Sequence, residues 1–249
     1  MKSAVFAFAV ASLTLATPLA AQAQTVPAAC PVKAENIVSN DGLSRARAAV
    51  REGRLTVLAM GSSSIEGIGA SRRELGFVPL LEQGLRERLP GVEVTVVNKG
   101  IGGETAKETA DRLEREIAAN QPDLVLWQLG TNDVLRDRSM DDFFADFRRG
   151  QGVLNEAGVD VVLIDPQRLP DNARNPAFQG RNPALSEISR LIALEGGRVG
   201  YGVQHRFAAM SGWSGLDRGG VGPDDLHLND PGYACWSANT AEGLAAALR

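Results

Sequence analysis

Four short polar segments stand far apart in this chain: Gly61-Ser62-Ser63-Ser64, Asn98 to Gly103, Gly130-Thr131-Asn132-Asp133 and Asp224-Asp225-Leu226-His227. Between them they hold hydroxyls, glycine amides, a carboxamide, a carboxylate and an imidazole, the groups that nucleophilic acyl transfer uses. In the first, glycines at 61 and 67 allow a sharp turn that can hold a serine out into a cleft, although three serines between glycines also make an ordinary turn. A phosphate cradle is excluded because the G-x-x-x-x-G-K-[ST] pattern is missing. The G-x-S-x-G elbow is excluded too, because Ile65 stands two residues after Ser63. In the second segment, free amides at a helix start can meet developing negative charge. A dinucleotide loop fails there, since Thr105 occupies the place of the third glycine and the next strand ends in Trp127-Gln128 without an acidic residue. The third offers the Asn132 carboxamide, which is equally a good helix cap. In the fourth, Asp224 and His227 are three apart, just ahead of a helix start marked by Asn229-Asp230-Pro231, a spacing that brings a carboxylate to an imidazole in a turn. The other histidine, His205, lies in a helix-like stretch with no acidic neighbour in sequence and reads as structural.

These segments follow predicted strands. Apolar runs suited to buried strands occur at 55–60, 92–97, 124–129 and 159–164, with a weaker one at 198–203. Amphipathic stretches lie at 77–89, 105–120, 141–157 and 183–195, with an opening helix at 43–52 and a closing one at 230–248. Such alternation predicts an α/β fold, a doubly wound parallel sheet with right-handed crossovers and helices on both faces. Sheets of this kind build their sites in the loops outside the strand carboxyl ends. No internal repeat or linker interrupts the pattern, so residues 43–249 read as one domain preceded by an arm at 24–42. The irregular stretches 166–182 and 211–226 are candidate substrate loops.

Composition narrows the alternatives. Two histidines and two cysteines show no zinc-ligand spacing, and a formal net charge of −4 without basic tracts argues against nucleic acid. Lys2, the apolar run 4–16 and Ala21-Gln22-Ala23 form a signal peptide over residues 1–23, implying a secreted or periplasmic protein. Removing 23 of 249 residues leaves 226, and loss of Lys2, the one charge among them, moves the net charge to −5. No later stretch is apolar enough for a membrane span, and Pro27-Ala28-Ala29 is a poor lipid-anchor site ahead of Cys30, so no stable membrane anchor is expected. An oxidising compartment permits Cys30 and Cys235 to pair.

The four segments together resemble the blocks of the SGNH hydrolases, the GDSL esterase/lipase family, in order and spacing. Ser63 takes the serine of the family's Gly-Asp-Ser-Leu block, with Ser62 where the aspartate usually stands. Gly103 falls on the oxyanion glycine, Asn132 on the asparagine of Gly-x-Asn-Asp, and Asp224 and His227 on Asp-x-x-His, followed by Asn-Asp-Pro-Gly-Tyr. The resemblance implies a flavodoxin-like three-layer α/β/α sandwich with five parallel strands ordered 2-1-3-4-5. It also implies a Ser63-His227-Asp224 triad, with an oxyanion hole formed by the amides of Ser63 and Gly103 and the Asn132 side chain. No cofactor or metal is called for. Expected substrates are small-molecule or glycan esters with short acyl groups. Lipase or lysophospholipase action and O-acetyl transfer are the alternatives on the same residues, and a non-catalytic flavodoxin-like binding protein is the reading from another class. Trp127 and Trp213 are candidates for stacking on a sugar or for filling the core, and Arg72, Arg73 and Lys99 for edging the cleft or for ordinary solvated surface charge.

Overall fold

The alternating pattern builds one six-stranded sheet in the computed structural model, which describes residue 1 and residues 25–38 and 42–249. Apart from Met1, the expected leader lies outside the described residues. The strands are β1 (Ile37–Val38), β2 (Arg54–Gly61), β3 (Glu93–Gly100), β4 (Leu124–Gln128), β5 (Asp160–Ile164) and β6 (Gly202–Gln204). Their order across the sheet is β1-β6-β5-β4-β2-β3, with β1 antiparallel to β6 and the rest parallel. Counting only the parallel strands in chain order gives 2-1-3-4-5, the expected topology. The edge strand β1 is an addition from the arm. Two residues are too few to show a period in sequence.

Nine helices are seen among the described residues: α1 (Ser44–Arg51), α2 (Ser63–Glu66), α3 (Phe77–Arg88), α4 (Ala106–Asn120), α5 (Thr131–Leu135), α6 (Met140–Ala157), α7 (Asn182–Val199), α8 (Arg206–Ser211) and α9 (Asp230–Leu248). Successive strand residues point to opposite faces, so each central strand feeds two cores. Leu55, Val57 and Ala59 of β2 and Leu124 and Leu126 of β4 pack with α1, α3 and α9. Leu58, Met60, Val125 and Trp127 pack with α4, α6 and α7 on the other side. Helix α9 is buried nearly all round, and Cys235 on it is bonded to Cys30, with Cα atoms 5.6 Å apart. The backbone N–H of Lys33 and the Asn36 side chain both donate to Asn239 Oδ1 on the same helix, so the arm is held to the last element of the chain.

One boundary differs from the sequence reading. The run 198–203 was expected as a strand, but α7 continues to Val199, Gly200 closes it in the left-handed region, and β6 begins at Gly202. Apolar residues at a buried helix end and a short buried strand give the same signal.

Candidate active site

Strand β2 runs into the serine turn, where Ser62 in extended conformation precedes the single turn of α2. The Ser62 N–H and hydroxyl both donate to Gln128 Oε1 on β4, at 2.9 and 3.0 Å. The Ser64 hydroxyl donates to Gln167 Oε1 and accepts from the fully buried Arg206, both at 3.3 Å. Ser62 and Ser64 are thus turned into the protein. Ser63, partly exposed, makes no side-chain hydrogen bond among the described residues, to His227 or to any other group.

The histidine arrives on the loop ahead of α9. His227 Nδ1 lies 2.6 Å from Asp224 Oδ2, while Asp224 Oδ1 accepts the backbone N–H of Leu226 and His227 at 3.1 and 3.0 Å. Burial pushes the Asp224 carboxyl up, but the hydrogen bonds from the His227 ring and these amides outweigh it and hold the group below the usual carboxylate range. The neighbouring Asp225 is buried and accepts the amides of Arg174 and Asn175 as well as Arg218, so it anchors the two irregular loops to each other.

Close packing joins the serine and histidine loops. Gly69, at φ +95°, approaches so near that a Cβ there would lie 2.8 Å from His227 Cβ and 2.4 Å from the Leu228 carbonyl oxygen. The Tyr233 hydroxyl donates to the Ile68 carbonyl at 2.6 Å, and Ser71 donates from its amide and hydroxyl to Asp230. The carboxylate and imidazole are therefore assembled beside the serine turn, with the serine-to-imidazole hydrogen bond left open.

Beyond β3, residues Ile101 to Glu104 form a turn closed by Glu104 N–H on the Ile101 carbonyl, with Gly103 at φ +82°. Gly102 N–H is bonded to Glu66 at 2.7 Å, whereas the N–H groups of Gly103 and Ser63 have no partner among the described residues. The Asn132 carboxamide, at the start of α5, donates to the Glu104 carbonyl at 2.8 Å, leaving its second N–H for another acceptor. Its neighbour Asp133 accepts Ala106 N–H, pinning the start of α4; burial raises that carboxyl above its ordinary range.

Arg112, absent from the sequence reading, braces this end of the site. Its guanidinium meets both Glu104 oxygens and the carbonyls of Lys99 and Gly61, joining the ends of β2 and β3. The signal was present: Arg112 sits in the inward register of α4 with Thr109, Leu113 and Glu116. Other expected roles change. Trp127 and Trp213 are fully buried and cannot stack on a sugar, because each ring is needed to fill a core. Lys99 is paired with Glu116 at 2.9 Å rather than free at the rim. Arg72 and Arg73 are exposed on the loop after the serine turn, with no ion pair among the described residues. His205 is half-buried, its imidazole pushed down by burial, and Asp165 lies 3.9 Å from its Nδ1 although remote in sequence. The two irregular loops wall a cavity of about 400 Å³ that Arg168, Asp171 and Arg218 help to line.

The profile of the non-GDSL lipase-like family matches residues 29–227, a span that contains all four polar segments and ends on the histidine. The chain belongs to this family. It is thereby an SGNH hydrolase by family. Among curated relatives, an arylesterase of Vibrio mimicus is 32% identical over 120 residues, covering 47% of this chain and 59% of that protein. An acetylxylan esterase of Geobacillus stearothermophilus is 38% identical over 111 residues, covering 41% and 51%. The chain thus spans little more than half the length of these relatives. Among solved structures, the lipase/acylhydrolase from Enterococcus faecalis superposes with TM-score 0.63 at 24% identity, over 78% of this chain and 97% of that one. A two-domain esterase active on acetylated mannans, crystallised with mannopentaose, gives TM-score 0.65 at 21% identity, over 86% and 56%. At these identities the structural likeness speaks for the fold, and this SGNH chain shares it.

Proposed function

We propose that this SGNH hydrolase is a serine esterase that cleaves short-chain carboxylic esters, acetyl groups on carbohydrate among them. The observation that carries the reading is the contrast within one turn: Ser62 and Ser64 are hydrogen-bonded inward, while the Ser63 hydroxyl has no partner among the described residues and its loop packs against a formed His227–Asp224 pair. Ser63 Oγ attacks the ester carbonyl carbon as His227 takes its proton, and the tetrahedral intermediate collapses with transfer of that proton to the departing alcohol. Water, deprotonated by His227, then attacks the acyl-serine and releases the acid. The oxygen that becomes negative in both steps is held by the Ser63 and Gly103 amides and by Asn132, donors fixed before charge develops. No cofactor enters this scheme. The names of the acetylxylan and acetylmannan esterases above support the carbohydrate side of the proposal. The leader-like first 23 residues support export to the periplasm or outside the cell, which N-terminal sequencing of the protein expressed with its leader tests.

The decisive experiment couples labelling to turnover. An organophosphonate is expected to add once per chain, at Ser63 by peptide mass spectrometry. Ser63→Ala should abolish both labelling and hydrolysis, whereas Ser62→Ala should keep most of each. Label on Ser62, or an active Ser63→Ala variant, sinks the choice of nucleophile. A panel of nitrophenyl esters of increasing chain length beside acetylated xylo- and manno-oligosaccharides then reads acyl preference, and added sugar acceptors reveal any transferase product.

A further inference from the structure

The turn that carries Gly103 is poor in its own means of staying put. Gly102 and Gly103 have no side chains, and Ile101 is 48% exposed. A four-residue turn with a left-handed glycine in its third place has the form of a type II turn. Its placement therefore comes from hydrogen bonds along its length. The Gly61 carbonyl accepts Ile101 N–H at 3.0 Å, and Glu104 is held by Arg112 and Asn132. The tip is held from the serine turn: Glu66 Oε2 accepts Gly102 N–H at 2.7 Å, and a Cβ on Gly102 would lie 3.2 Å from that oxygen and 4.0 Å from Ser63 Cβ. Below the tip, Asn98 Nδ2 donates to the Ile65 carbonyl at 2.9 Å, so β3 and α2 are also joined at their base.

Glu66 closes the one-turn helix that Ser63 opens. Its bond to Gly102 ties the turn supplying one oxyanion amide to the turn supplying the other. It also engages the Gly102 N–H, so that of the two only the Gly103 N–H lacks a partner among the described residues. We infer that Glu66 is a positioning residue of the oxyanion hole, acting through Gly102 to set the distance between the Ser63 and Gly103 amides. The inference rests on the esterase reading above. A group of this kind acts on the transition state, whose oxygen sits between the two amides, and barely on substrate affinity, so its loss appears in kcat rather than KM.

The test measures kcat and KM for nitrophenyl acetate with Glu66→Ala and Glu66→Gln, each alone and combined with Asn132→Ala, beside phosphonate labelling of every variant. Glu66→Ala should lower kcat by about 10- to 100-fold, the scale of a misplaced donor, with KM changed by less than about twofold. Glu66→Gln should regain most of the loss, because its carboxamide oxygen accepts the same N–H without the charge. In the Asn132→Ala background, Glu66→Ala should cost less than it does alone, because both residues serve one hole and their effects do not multiply. Unchanged turnover in Glu66→Ala overturns the inference, and so do a glutamine variant no better than alanine, a rise confined to KM, or losses that multiply fully. Wild-type protein that hydrolyses nothing and takes no label overturns the esterase reading itself, an outcome distinct from all of these.

Discussion

Ser62, Ser63 and Ser64 are chemically identical, and what separates them is the partner each hydroxyl meets: Gln128, none among the described residues, and Gln167 with Arg206. The same holds for Asp224 and Asp225, of which one faces the imidazole and the other ties down two loops. Asp-x-x-His was legible from its spacing, whereas the glycine-flanked serines also read as an ordinary turn and Ser63 was singled out by resemblance to the family's first block. Their partners were not legible, since Gln128, Gln167 and Arg206 meet the serine turn only through the sheet. Asn132 stands between the two cases. The Glu104 carbonyl occupies one of its N–H groups and fixes the carboxamide plane, so the other can serve a developing oxyanion without rearrangement. Asn132→Ala is accordingly expected to lower kcat by about 100-fold or more while KM stays near the wild-type value. Steady-state kinetics on an acetyl ester check this, and a variant within about threefold of wild type in kcat would remove Asn132 from the proposed hole.

Among the elements, the parallel strands announced themselves as apolar runs and the longer helices α3, α4, α6 and α7 as amphipathic stretches, whereas β1 and the short helices α2, α5 and α8 gave no period. The misplacement at 198–203 arose where a helix end and a strand share one apolar stretch across Gly200. The ties between elements could not be read in this way, because they depend on which side chains meet in space. Arg112 shows the consequence. Its side chain is 7% exposed and that of Glu104 12%, so the pair is held out of water. Removing one partner of such a pair strands a buried charge, whereas replacing both with apolar groups of similar size is often neutral or better. Arg112→Ala is expected to cost about 3 to 5 kcal/mol of stability by urea denaturation. The double variant Arg112→Met with Glu104→Leu should recover most of that stability while staying catalytically impaired, because the Lys99 and Gly61 carbonyls lose their common donor. Full recovery of turnover along with stability would show that the brace serves folding alone.

At the scale of the whole molecule, two cores on opposite faces of one sheet account for the topology, and both follow from strands β2, β4 and β5, which are buried on both faces and send alternate residues to each core. The bond between Cys30 and Cys235 spans 205 residues of sequence, a closure worth about 5 kcal/mol in chain entropy. That bridge was expected from compartment logic alone. The buried polar layer at the carboxyl end of β5 was not expected, because its members come from three parts of the chain. Asp165 there is fully buried, bonded to Ser189 and to Phe207 N–H, with Arg206 nearby. Burial outweighs these partners and pushes its carboxyl up to about 7. Since the folded value exceeds the unfolded one, the native state binds the extra proton, and Asp165 adds most stability below the unfolded value of about 3.9. That contribution disappears as pH rises through about 7. Asp224 has the opposite sign: its carboxyl is lowered, so its contribution is lost as pH falls below the carboxylate range. The two effects therefore act in separate windows. Between about pH 4 and 7 the wild-type protein should lose stability on the order of 4 kcal/mol through Asp165, and Asp165→Asn, which cannot ionise, should lack that slope. Denaturation midpoints measured across the range decide the matter, and equal slopes in the two proteins would place the buried charge elsewhere.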